Sequence, residues 1–192
     1  MQLGSGAATQ LGAVKSSGAG VNLSAHNGSL GFTSVTALGV ANLSATRDDG
    51  SSVATDIRGG AVTAKATDPD SAINVTAEAG TVVLGNVTAT TGGVNLNSDG
   101  GALTTGSISG SWAVQAGASG NLATGAITSR NAGIQIDALT GSVSVASASA
   151  KTSFAAESGG AMNISSFTVS AGGATLKAAT ELNLPKGTAT GL

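Results

Sequence analysis

The sequence predicts an all-β fold, a parallel β-helix (β-solenoid) built from rungs of about twenty residues. Three observations carry this prediction. Apolar and polar residues alternate in short runs such as Ile134-Gln135-Ile136-Asp137, the period of a strand with one buried face. Glycine turns separate the runs, and the chain holds 30 Gly against 2 Pro. The same order then recurs along the chain: apolar, polar, apolar, a glycine turn, a second apolar strand and often a third.

The repeat is clearest from Ile73 to Ala89, from Val94 to Ile108 and from Ile134 to Val145. Rung starts fall near Val21, Ala41, Val62, Ile73, Val94, Trp112, Ile134, Phe154 and Ala174. Most steps are close to twenty residues, but the step from Val62 to Ile73 is about half that. It holds the turn-forming stretch Thr67-Asp68-Pro69-Asp70-Ser71, read as a loop insertion or a phase slip over residues 67–72. If rungs stack in parallel, Val21, Ala41, Ile73, Val94, Trp112, Ile134 and Phe154 form one inward column. Leu23, Leu43, Val75, Leu96, Val114 and Ile136 form another beside it. A narrow tube of such aliphatics fits a hydrophobic content of 41% with only 2% aromatics. Helix is disfavoured because Gly, Val, Thr and Ser occupy nearly every window. A β-sandwich is the structural rival, and it would bring irregular strand spacing and bulky aromatic anchors. Nine or ten turns at a spacing of about 4.8 Å give a rod roughly 45 Å long.

Composition also narrows the partners. A net charge of -2, with eight Lys and Arg dispersed along the chain, provides no field for phosphates, so nucleic acid is not an expected partner. No apolar run reaches the length of a membrane span. The absence of cysteine excludes disulfides and thiolate metal sites. The start, Met1-Gln2-Leu3-Gly4, has neither the basic region nor the apolar stretch of a secretory signal. The repeat is running by Val21 and still running near Leu184, so 192 residues of single solenoid are expected to be a fragment of a longer protein. Open rung edges at its ends would invite end-to-end self-association.

Candidate sites are sparse. His26, the one histidine, lies in the turn Ala25-His26-Asn27-Gly28 and reads as surface decoration without catalytic partners. Arg47-Asp48-Asp49-Gly50 and Asp68-Pro69-Asp70 are the densest acidic spots, yet neither has EF-hand or β-roll calcium spacing, and both read as solvated turns. Carbohydrate-cleaving β-helices cluster carboxylates in a groove. Here Glu78, Glu157 and Glu181 fall in different rungs with no evident partner. Thr88-Ala89-Thr90 and Thr188-Ala189-Thr190 fit an ice-organising ladder locally, with Ser, Asn or Ala expected between them. Asn-x-Ser/Thr triplets at Asn22, Asn27, Asn42, Asn74, Asn86 and Asn163 match glycosylation acceptors and equally match outward strand positions. Trp112 is read as core filling. No catalytic, cofactor-binding or metal-ligating residue is assigned, and no cofactor is expected.

The runs Val21-Asn-Leu-Ser-Ala25, Ile73-Asn-Val-Thr-Ala77, Gly85-Asn-Val-Thr-Ala89, Val94-Asn-Leu-Asn-Ser98 and Gly106-Ser-Ile-Ser109 resemble a known family. They look like the degenerate repeats of the filamentous haemagglutinin-like exoproteins, exported by two-partner secretion in Gram-negative bacteria. The resemblance covers Val21 to Leu184. It implies a right-handed β-helical shaft of a secreted or surface adhesin that projects a binding tip. It implies partners among host-surface proteins or glycans, and a location outside the cell or on its outer surface. The family's amino-terminal secretion domain is not evident here. The expected function is a structural stalk with a weak contact surface, not an enzyme. The other readings are a carbohydrate-active β-helix enzyme and an ice- or surface-binding solenoid.

Overall fold

The computed structural model describes residues 1–66 and 71–190. Among them the regular structure is entirely β, arranged as a nine-stranded and a 14-stranded sheet whose strand pairs are parallel. The chain winds as a β-solenoid of about nine coils. Each coil supplies three strand segments, here called the first, second and third faces. In one coil these are Val94–Ser98, Leu103–Thr105 and Ile108–Gly110. In others the second and third segments run together, as in Leu122–Ser129 and Val143–Ala150.

Side-chain alternation explains why the strands face as they do. Val21–His26 alternates buried and exposed residue by residue, and so does Val94–Leu96 in the middle of the rod. On the first face Val21, Ala41, Ile73, Val94, Val114, Ile134, Phe154 and Ala174 stack in register. On the second, Leu30, Ile57, Val82, Leu103, Leu122, Val143, Met162 and Leu182 stack likewise. The third carries Val14, Val35, Val62, Val87, Ile108, Ile127, Ala148 and Phe167. The three columns converge on one slim interior, in which Phe154 and Phe167 meet with ring centroids 5.5 Å apart. Buried hydroxyls are satisfied locally: Ser98 donates to the Gly80 and Ala102 carbonyls at 2.8 and 3.1 Å, and Thr105 to Thr124 at 2.9 Å.

Corners of stacked coils touch backbone to backbone. At one corner the Gly85, Gly106 and Gly125 N–H groups donate to the Gly60, Gly85 and Gly106 carbonyls at 3.0, 3.1 and 2.9 Å. A Cβ on Gly125 would lie 3.1 Å from the Gly106 carbonyl oxygen, a tight contact that glycine avoids at this coil.

Two sequence expectations are corrected by the register. Val62 does not start a rung; it lies on the third face between Val35 and Val87. Trp112 is not in the first inward column, which passes through Val114, and the second column passes through Ala116 where Val114 was expected. Trp112 occupies the preceding corner with 43% of its surface exposed. Trp112 and Val114 have the same phase in the alternation, and pairing with Val94 selects Val114 for the column.

The coil from Ala41 to Ile73 is enlarged. Asn42 and Asn74 are 32 residues apart, against 20 between Asn22 and Asn42. Its second- and third-face strands, Ile57–Gly59 and Val62–Ala64, still pair in register with both neighbours, so the excess is split between the segments after Thr46 and after Ala64. The sequence reading placed an insertion or slip at 67–72. Of those residues, Thr67, Asp68, Pro69 and Asp70 lie outside the described residues, and so does the acidic spot Asp68-Pro69-Asp70.

Candidate functional site

The corner after the first face carries a groove of about 620 Å³ that runs along the rod from Asn97 to Ala179. Its shape follows from one register column, Asn97, Gly117, Asp137, Glu157, Lys177. Gly117 has no side chain, and a Cβ there would come within 3.1 Å of Asn97 Oδ1, so the column is notched at this coil. Leu139 lies between the short residues Ser119 and Gly159 of the adjacent coils and stands 76% exposed in the middle of the groove. Asp99, Asp137 and Glu157 line the same space from three different coils. Amides orient two of them: Asn97 Nδ2 donates to Asp99 Oδ1 at 2.6 Å, and Gln135 Nε2 to Asp137 Oδ2 at 2.8 Å. Lys177 Nζ lies 3.7 Å from Glu157 Oε2, with both side chains well exposed.

Sequence reasoning missed this assembly. Asp99, Asp137 and Glu157 are far apart in the chain, and only the stacking register brings them to one groove. The register also supplies partners for two of the carboxylates read as solitary. Glu157 faces Lys177, and Glu78 Oε2 accepts the Arg47 N–H at 2.9 Å.

No family model, curated protein or solved structure matches this chain. The surfaces are therefore read on their own chemistry.

Three further features stand elsewhere on the surface. The outward column of the first face is an amide ladder: Gln2, Asn22, Asn42, Asn74, Asn95, Gln115 and Gln135 occupy successive coils. Asn42 Nδ2 donates to Asn22 Oδ1 at 2.7 Å and Asn74 Nδ2 to Asn42 Oδ1 at 2.9 Å. Three of the sequon asparagines are thus rungs of this ladder. Asn27 is held in a left-handed turn at φ 55°, Asn86 Oδ1 accepts the Ser107 N–H at 2.9 Å, and Asn163 is exposed on the second face.

The third face carries an outward hydroxyl column: Thr36, Thr63, Thr88, Ser109, Thr128, Ser149, Thr168 and Thr188 stack in unbroken order. The sequence expectation of Asn and Ala between Thr88 and Thr188 is corrected at this position. Two residues further on, after Thr90, the ladder is interrupted, but by Arg130 and Lys151 and not by Asn or Ala.

His26 is exposed and hydrogen-bonded to the next coil. Its Nε2 lies 2.9 Å from Asp48 Oδ1 and its Nδ1 3.1 Å from Thr46 Oγ1. Asn27 Nδ2 donates to Asp48 Oδ2 at 2.7 Å, and the Asp48 N–H donates back to Asn27 Oδ1 at 2.9 Å. The Asn27 amide and His26 together hold the Asp48 carboxyl below its ordinary value. At the far end of the same segment, burial pushes the Asp56 carboxyl up, but the Thr81 N–H at 2.8 Å and the Arg58 guanidinium at 3.1 Å outweigh it and hold it low. Residues 47–56 are therefore pinned at both ends.

Proposed function

We propose that this chain is a shaft segment of a secreted or surface-exposed bacterial adhesin, akin to the filamentous haemagglutinin-like exoproteins its repeats resemble. It holds a binding region away from the cell and offers a weak contact surface to a host protein or glycan. One observation carries this reading: the first-face column continues in register through nine strands, so load along the axis passes through a continuous backbone ladder. In this reading the chain catalyses no reaction. Small-angle scattering on the chain, paired with assays on a polysaccharide panel, tests the proposal. A rod that leaves every polysaccharide intact is expected, and cleavage of any of them would replace the stalk with an enzyme.

A second reading is favoured by the hydroxyl column of the third face. Among the described residues none of its eight hydroxyls has a protein hydrogen-bond partner, so all are available to ordered water. An ice- or surface-binding solenoid would show thermal hysteresis that Thr128→Lys abolishes.

A further inference from the structure

We infer that the corner groove receives an extended, basic polypeptide segment in which cationic and apolar residues alternate. This rests on the contact-surface part of the reading above and names the partner of that surface. Length is the first argument. The groove follows the axis from the coil of Asn97 to the coil of Ala179, four steps of about 4.8 Å, which matches an extended segment of roughly six residues. Charge is the second. Asp99, Asp137 and Glu157 line the groove, with Lys177 as a neighbouring cation beside Glu157, and each of the three presents an oxygen with no protein donor among the described residues. Those carboxylates complement Lys or Arg and repel an anionic glycan. The third argument is the floor. Leu139, 76% exposed, offers an aliphatic contact where a sugar ring would want an aromatic plane, and the one tryptophan lies on a different corner. A main chain laid along the notch at Gly117 would set alternate side chains against Leu139 and the carboxylates.

Fluorescence anisotropy on the full chain tests this, with a fluorescein-labelled peptide Lys-Val-Lys-Ala-Arg-Val as probe. Binding is expected, weakening as salt rises. The Asp137→Asn, Glu157→Gln double variant should bind roughly tenfold more weakly, the scale of losing two exposed charges. Gly117→Gln fills the notch and should block binding. Lys177→Gln frees Glu157 and should strengthen it, a gain that a misfolded variant could not give. Peptide affinity that none of these substitutions changes would overturn the assignment, as would no binding at all or tighter binding of a glutamate-containing control peptide or a neutral oligosaccharide. None of the substitutions touches the interior, so a scattering rod with an empty groove refutes the partner and leaves the shaft standing.

Discussion

The stacking register can be tested with a pair of cysteines, since the chain has none of its own. Asn95 and Gln115 are direct register partners on the outward side of the first face. Paired strands lie about 4.8 Å apart, inside the roughly 4.4–6.8 Å range of Cα separations that a disulfide spans. Asn95→Cys with Gln115→Cys should therefore cross-link under mild oxidation. The register read from sequence alone would pair Asn95 with Ala113 instead. In the structure that pair is offset by two residues along the strand, about 6.6 Å. Combined with the strand spacing, this puts the Cα atoms roughly 8 Å apart, beyond reach. A bridge closing a loop of about twenty residues should add about 3 kcal/mol to stability under oxidising conditions. The assay is thiol titration before and after oxidation, followed by urea denaturation with and without reductant. Rapid bridging of the Asn95/Ala113 pair with none for Asn95/Gln115 would refute the register, and with it the groove.

Phe154, 1% exposed and packed on Phe167, should cost about 3–5 kcal/mol when cut to Ala. Leu139→Ala, at an exposed position, should change stability by less than about 0.5 kcal/mol; equal urea midpoints for the two would sink the assignment of inside and outside. Gly125→Val should destabilise by bringing a branched side chain against the Gly106 carbonyl oxygen, lowering the thermal midpoint while the peptide still binds once the chain is folded. Asp48 and Asp56 both have carboxyls held below the ordinary value of 3.8, so their contribution is present above that pH and is lost as pH falls through their lower folded values. Amide exchange at the Asp48 and Thr81 N–H groups should therefore accelerate on acidification below about pH 4 beyond the intrinsic rate. Asp48→Asn should flatten that response at residue 48 and leave it at residue 81.

The fold class was legible because a solenoid repeats its own evidence: the run at Ile134-Gln135-Ile136 recurs coil after coil with the same alternation. Register was less legible. Trp112 and Val114 both fit an inward position by alternation, and only cross-coil pairing decides between positions two residues apart. The enlarged coil misled for a related reason, since Val62 has the apolar character of a first-face residue yet belongs to the third. The groove was not legible. Its carboxylates share no local motif, and adjacency between Asp137 and Glu157 exists only across coils. His26 shows the same limit, because its partners Thr46 and Asp48 are one coil away.

The enlarged coil from Ala41 to Ile73 bears on how such a rod can diversify. Surplus residues leave at corners and return to the same lateral pairing, so the neighbouring coils proceed as though nothing had been added. Segment 47–56, anchored at Asp48 and Asp56, then behaves as a bracketed outgrowth on an indifferent scaffold. Foreign peptides grafted between those two anchors should be carried without loss of the coils around them, which makes this corner a natural place for sequence novelty to accumulate.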